Sequence, residues 1–187
     1  TASSIYDDAE KDFPGGYHPV DYSKALGKIT VRRAIESSQN IPFVEIMQEL
    51  KPSVSMDYLE RLGITTLTEE DNNLSLALGG LQKGISPLEM AAAYAAIAND
   101  GQYIEPVFYQ NIKNHSGETI ITPKQDTRRV FSKETAFILK DLLTQPVEGS
   151  NGTATYCKIN GIDVAAKTGT TDSNYDRWLC GFTPYYT

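Results

Sequence analysis

Histidine is nearly missing from this chain, and so is cysteine: there are two of each in 187 residues. His18 stands beside Pro19, and His115 lies in the turn-like run Lys113-Asn114-His115-Ser116-Gly117, so both read as loop residues. A Ser-His-Asp triad is therefore poorly supported. Cys157 and Cys180 have neither metal-site spacing nor a histidine near them, and Cys180 falls in an apolar run where cysteine acts as a small core residue. No metal, no cofactor and no disulfide is expected. No apolar run approaches the length needed to span a bilayer. There is no signal-peptide pattern and the first residue is Thr1 rather than Met, so any targeting or anchoring segment is expected outside these residues. The net charge is -7, from 17 basic and 24 acidic residues. Arg32-Arg33 and Arg128-Arg129 are isolated pairs rather than a basic patch, which excludes nucleic acid as a partner.

What is there has the composition of an ordinary globular domain, 40% hydrophobic and 22% charged, long enough for a real core and without repeats or a dividing linker. Residues 1–29, rich in Gly, Pro, Asp and Tyr, read as irregular and carry no assigned chemistry. Thr30 caps a helix over 31–38, in which Val31, Ala34, Ile35 and Ser38 share one face. Pro42 suits the first turn of the next helix, whose buried stripe is Phe43, Ile46, Met47 and Leu50. Ser38 and Asn40 then sit at a helix–helix junction with both side chains able to enter one cleft. Ser-x-Asn alone is a weak signal, and taken in isolation a capping and turn pair is the better account of it. A short helix is expected over 55–62, closed by Gly63. Ser86 with Glu89 forms a capping box, with Pro87 at the first position of an alanine-rich helix ending at Asn99-Asp100-Gly101. Residues 103–113 and 118–121 read as a hairpin. Ser132 caps a helix over 133–143 that ends near Pro146, and 149–154 reads as a flexible turn.

The organising stretch comes last. Residues 161–164 read as a short buried strand that runs into Ala165-Ala166-Lys167-Thr168-Gly169-Thr170-Thr171. That strand end carries an ammonium, hydroxyls and a position without Cβ along one edge. The lysine attracts an anion, the hydroxyls hydrogen-bond it, and Gly169 lets a ligand approach the main chain. An extended ligand could add there as a strand. A polar turn and the strand 177–183 follow. Taken alone, the run reads equally well as a strand end with a solvated lysine.

Lys167-Thr168-Gly169 with Ser38-x-Asn40 far upstream resembles the penicillin-binding proteins and serine β-lactamases. The segment Leu78-Gly79 … Ser86-Pro87-Leu88-Glu89-Met90-Ala91 … Asn99-Asp100-Gly101 is similar to the helix of penicillin-binding transpeptidases and argues against a β-lactamase. Lys167-Thr168-Gly169-Thr170-Thr171, followed by Asp176-Arg177-Trp178 … Gly181-Phe182-Thr183-Pro184, is similar to the bifunctional class A enzymes. One departure stands out: no lysine here has a serine three residues before it, so the Ser-x-x-Lys nucleophile motif is not in this chain.

The resemblance implies an α+β fold, a mixed sandwich of antiparallel sheet around an alanine-rich helical core, and a single partial transpeptidase domain over 1–187. It implies a serine D-Ala-D-Ala transpeptidase that cross-links peptidoglycan stem peptides and is acylated by β-lactam antibiotics. The nucleophile would come from the remainder of its own polypeptide, on a helix beside the alanine-rich one. The protein would act at the extracytoplasmic face of the bacterial membrane, anchored by a segment outside this chain. Ser38 would relay a proton, Asn40 would bind the substrate amide, and Lys167 would supply positive potential. Thr168, Gly169, Thr170 and Thr171 would bind the terminal carboxylate region, the Thr170 N–H forming half an oxyanion hole. The rival readings are a β-lactamase or D,D-carboxypeptidase of the same superfamily, a β-lactam-binding sensor, and an interaction domain that keeps only the fold.

Overall fold

The computed structural model describes residues 1–187, the side chain of Asp172 excepted. The first segment is more ordered than its composition suggests. Ile5–Asp7 (β1) pairs antiparallel with Lys28–Thr30 (β2), Ile5 facing Thr30 and Asp7 facing Lys28. Thr30 then accepts the Arg33 N–H at 3.2 Å and opens Val31–Ser37 (α1). The helix stops one residue short of Ser38, which takes the left-handed conformation with φ 56° and ψ 43°.

Proline starts three helices. Ile41–Leu50 (α2), Pro52–Arg61 (α3) and Pro87–Ala98 (α4) each carry one in the first two positions, where its missing N–H is no loss. The rule that places Pro42 and Pro87 applies equally to Pro52, so α3 begins three residues earlier than Ser55. Gln102–Ile104 (β3) pairs not with its near neighbour but with Thr127–Arg129 (β6), enclosing a hairpin of Ile112–Lys113 (β4) and Thr119–Ile121 (β5). The expected single hairpin is thus two nested pairs.

Lys133–Glu148 (α5) starts at the Ser132 cap and runs through Pro146 rather than ending there. Proline loses one helical hydrogen bond in the last turn, and its own carbonyl is taken by the Ala154 N–H at 2.8 Å. The following turn is pinned, not loose. Asn151 N–H bonds Glu36 at 2.9 Å, Ala154 is fully buried, and a Cβ on Gly152 would stand 2.2 Å from the Pro146 carbonyl oxygen. Residues 161–164 form no strand. The chain enters Ala165–Thr170 (β7) directly from a turn bridged at Ile159 and Ile162, and β7 pairs antiparallel with Arg177–Phe182 (β8).

The packing follows from small residues. Ala165, Phe182 and Leu143 meet Ile35, Tyr94 and Ile97, which lays α1, α4 and α5 on one face of the β7–β8 pair. Ala166 and Val164 pack with Val147 and Ala154. The alanine stripe Ala92, Ala93 and Ala96 is already covered within the chain, by Leu62, Ile64, Tyr103 and Val130. Exposed apolar surface lies on α5 instead, where Phe137 is 69% exposed.

The Ser86–Glu89 capping box is joined by a third party. The Glu89 carboxylate accepts the N–H and hydroxyl of both Ser86 and Thr65, at 2.7 to 3.0 Å, tying the 65–73 loop to the start of α4. The Thr65 hydroxyl and N–H, then those of Ser86, hold its pKa down at about 2. A depressed carboxylate contributes stability above its ordinary value of 4.5 and loses it as the pH falls through about 2. Glu89→Gln should therefore lower stability by about 1 kcal/mol near neutrality, the scale of a lost cap. That difference from wild type should vanish in acid; denaturant titrations at several pH values check it, and a pH-independent difference would contradict this account.

Candidate active site

Ser38 and Lys167 are 129 residues apart in sequence and in direct contact. The Lys167 ammonium donates to Ser38 Oγ at 2.7 Å and to the Thr168 carbonyl oxygen at 2.8 Å. Two of its three protons are placed; the third has no acceptor among the described residues. Among the described residues no carboxylate touches it. Burial alone pushes its pKa down to about 8. Cys180, its cross-strand partner, supplies no counter-charge, because burial pushes that thiol up and keeps it neutral. The end of α1 contributes a weak negative potential, the C-terminal pole of the helix.

The left-handed backbone of Ser38 presents its hydroxyl to β7. Glycine is the residue that normally takes this position after a helix, because Cβ is strained there. Ser37 next door returns its hydroxyl to the Arg33 carbonyl at 2.8 Å. Since Ser38 Oγ accepts from Lys167, its own proton is left to donate elsewhere.

Asn40 begins α2, yet its side chain makes no cap bond. Its amide nitrogen donates to the Val20 carbonyl at 2.7 Å, and its main-chain N–H goes to the Asp21 carboxyl. The capping and turn reading thus accounts for neither side chain of the Ser-x-Asn pair: Ser38 faces the lysine, and Asn40 reaches back to 20–21.

The register of β7 decides which main-chain groups face outward. Thr171 N–H donates to the Asp176 carbonyl at 3.1 Å, in line with the pairing of Thr170 to Arg177 and Gly169 to Trp178. In an antiparallel strand, N–H and C=O groups alternate sides residue by residue. The groups of Thr171, Gly169 and Lys167 therefore face β8, while those of Thr170 and Thr168 face the other edge. The Thr168 carbonyl accepts the Lys167 ammonium, as this requires. No strand covers that edge, since β7 and β8 form a two-stranded sheet among the described residues.

The candidate residues divide accordingly. Lys167, Ser38, the Thr168 carbonyl and the Thr170 N–H converge on the free edge of β7. The Thr168 hydroxyl is paired with that of Thr153 at 2.8 Å, and Thr170 is exposed. Gly169 is exposed, and a Cβ there would meet nothing closer than Trp178 Cβ at 3.5 Å. Thr171 turns away: its hydroxyl accepts the Asp176 N–H at 2.8 Å and closes the hairpin. Thr153, Asp21 and Val20 support the site and were not found from the sequence. Only the glycines around Thr153 hinted at a loop pressed against something. Among the described residues no group of histidine, cysteine, aspartate and glutamate is arranged to hold a metal ion.

The site is thus an open strand edge that carries an ammonium beside a serine hydroxyl. The chain matches the family described as "Penicillin binding protein transpeptidase domain" over residues 3–187 and belongs to it. It is 39% identical over 180 residues to penicillin-binding protein 1F of Bacillus subtilis (strain 168), a match covering 92% of this chain and 24% of that protein. Penicillin-binding protein 1A of Clostridium botulinum is 37% identical over 161 residues, 86% of this chain and 19% of that one. The chain thus spans a quarter or less of these two relatives, which bear out the class A resemblance. Among solved structures, penicillin-binding protein 1A from Haemophilus influenzae superposes with a TM-score of 0.83 at 24% identity, over 97% of this chain and 33% of that one. Penicillin-binding protein A from M. tuberculosis, as its imipenem acyl-enzyme complex, superposes with a TM-score of 0.78 at 21% identity, over 98% of this chain and 47% of that one. These last two establish the shared fold, α+β with antiparallel pairs around an alanine-rich helix.

The lowered Lys167 value has a measurable consequence. A lysine whose pKa is depressed in the folded state costs stability while it is protonated, and that cost is relieved as the pH rises from about 8 toward 10.5. Wild type should gain on Lys167→Met across that window. A flat difference between the two in chemical denaturation of the intact protein would mean the ammonium is not desolvated.

Proposed function

We propose that these residues are the substrate-binding and proton-relay part of a serine D,D-transpeptidase, the domain that cross-links peptidoglycan stem peptides and is acylated by β-lactams. The reading rests on one observation above others: a half-buried lysine on an open strand edge, bonded to Ser38 and with no carboxylate partner among the described residues. A stem peptide ending in D-Ala-D-Ala and a β-lactam share a carboxylate next to the bond that breaks, and both would lie along β7. Family membership and the fold shared with an imipenem acyl-enzyme support this assignment.

The attacking serine belongs to a Ser-x-x-Lys motif in the remainder of the polypeptide, since no lysine here has a serine three residues before it. Its oxygen bonds to the carbonyl carbon of the penultimate D-Ala. The peptide C–N bond breaks, and a proton passes through the Ser38 hydroxyl to the leaving nitrogen. Lys167 holds Ser38 in line and offers its spare N–H to the carboxylate, joined by the hydroxyls of Thr168 and Thr170. The Thr170 N–H stabilises the oxyanion, the nucleophile's own N–H supplying the second donor. An amine of a second stem peptide then attacks the ester carbon, the ester C–O bond breaks, and the proton that this amine gives up passes to the serine oxygen. Asn40 hydrogen-bonds the substrate amide. The work is done at the extracytoplasmic face of the membrane, held by an anchor elsewhere in the polypeptide; among the described residues no helix is long and apolar enough to cross a bilayer.

Ser38→Gly separates relay from scaffold. Glycine relieves the left-handed backbone while Lys167 loses one acceptor, so the two effects oppose and the melting temperature should change little. Penicillin acylation of the full-length protein should fall by about 10²-fold, the scale of a lost proton-transfer group. A variant that loses stability and keeps its acylation rate would return Ser38 to a structural role. The 187-residue chain refolded alone should form no covalent adduct with fluorescent penicillin on a denaturing gel. A stoichiometric labelled band would place a nucleophile among these residues and overturn the assignment.

A further inference from the structure

Beneath the Ser38–Asn40 turn lies a pair of carboxyl groups with too few partners. Asp8, just after β1, is fully buried. Its Oδ2 accepts the Leu26 N–H at 2.8 Å and the Gln39 amide at 2.6 Å, while its Oδ1 is buried without a donor. Asp21 Oδ1 accepts the Asn40 N–H, and its Oδ2 is also buried without a donor. The two carboxyl groups are neighbours, one holding Gln39 and the other the adjacent Asn40.

Nothing else neutralises them. Lys11 is turned to the Asp7 carbonyl and Glu45, and His18 to Asp12. Tyr6 donates to Glu49, Lys24 offers only its main-chain carbonyl to Gln39, and Lys28 makes no ion pair among the described residues. No third carboxylate, histidine or cysteine completes a metal-binding group among the described residues. Two ionised carboxylates held side by side repel, and each undonated buried oxygen is costly. One proton between them removes both penalties.

We propose that Asp8 and Asp21 share a single proton, and that this carboxyl–carboxylate pair is the positioning element of the Ser38–Asn40 turn. Asp21 carries the proton and donates it to Asp8, while the two residues grip Gln39 and Asn40 from below. Burial, then the neighbouring Asp8, raises the Asp21 pKa, outweighing the Asn40 and Ile41 N–H groups that lower it. Loss of the proton sets two charges against each other under the turn and draws Ser38 off Lys167. Stability from a raised carboxyl is present below its ordinary value and is lost as the pH rises through the raised one.

The test has two arms, and only the second rests on the transpeptidase reading. In the first, the side-chain carboxyls of Asp8 and Asp21 are followed by carbon NMR in the intact protein. Asp21 should hold its proton at a pH where free aspartate is already ionised. Ordinary titration of both overturns the proposal, even in a protein that never reacts with penicillin. In the second, penicillin acylation of the full-length protein is measured against pH. Asp21→Asn keeps a donor for Asp8 and an acceptor for Asn40 with no proton to lose, so it should retain acylation and drop the limb belonging to this pair. Asp21→Ala should acylate at least about tenfold more slowly, since a buried N–H and a buried carboxylate both lose their partner. An unchanged pH profile in Asp21→Asn contradicts the proposal whether or not the alanine variant folds.

Discussion

A half-buried ammonium must find acceptors, and in this chain it finds a serine hydroxyl 129 residues away. Desolvating a charge costs several kcal/mol unless hydrogen bonds replace the water. Lys167 meets that demand with Ser38 Oγ and the Thr168 carbonyl, and with no carboxylate among the described residues. The rest of the structure serves this contact. α5 packs against both α1 and β7, with Leu143 and Ile35 sharing a cluster with Ala165. Arg32 on α1 pairs with Asp141 on α5. Alanines 165 and 166 keep the strand close to the helices, and Gly181 must lack a side chain because its Cβ would stand 2.7 Å from that of Ala166.

The absence of a counter-ion gives the site its chemistry. An ion-paired lysine would be satisfied and of little use to an arriving anion. Desolvated, with one proton uncommitted, it is paired best by a ligand carboxylate placed in the same low-dielectric edge. The hydrogen-bond direction matters as much. Because Ser38 accepts from the ammonium, its hydroxyl proton is aimed elsewhere, which is what a relay requires.

Much of this was legible. Helix starts were readable wherever Ser, Thr or Pro supplied a local reason, as at Thr30, Pro42, Ser86 and Ser132. The strand edge was readable from Lys167 to Thr170, because ammonium, hydroxyl and missing Cβ are properties of the residues themselves. What failed were features set by partners distant in sequence. β1 finds its partner in β2, twenty residues on; β3 skips a whole hairpin to reach β6; and α5 continues through Pro146 because Ala154 uses the freed geometry. At the site, Ser38 was expected on a helical face, whereas it owes its direction to a left-handed turn that no periodicity reveals. Thr171 looked like part of the edge, but strand parity turns its main chain to β8 and Asp176 takes its hydroxyl. Asp8 and Asp21 gave no signal, since two acidic residues in a Gly- and Pro-rich segment look solvated until the fold buries them.

The most direct test of the Lys167–Ser38 bond is a double-mutant cycle, Ser38→Ala and Lys167→Met singly and together, on penicillin acylation of the full-length protein. If the two side chains act as one unit, the second substitution should add little to the first, with a coupling of about 1.5 kcal/mol or more, as for a hydrogen bond to a charged group. Additive losses, with a coupling near zero, would mean that the lysine and the serine work independently and that the contact on which this account rests is incidental.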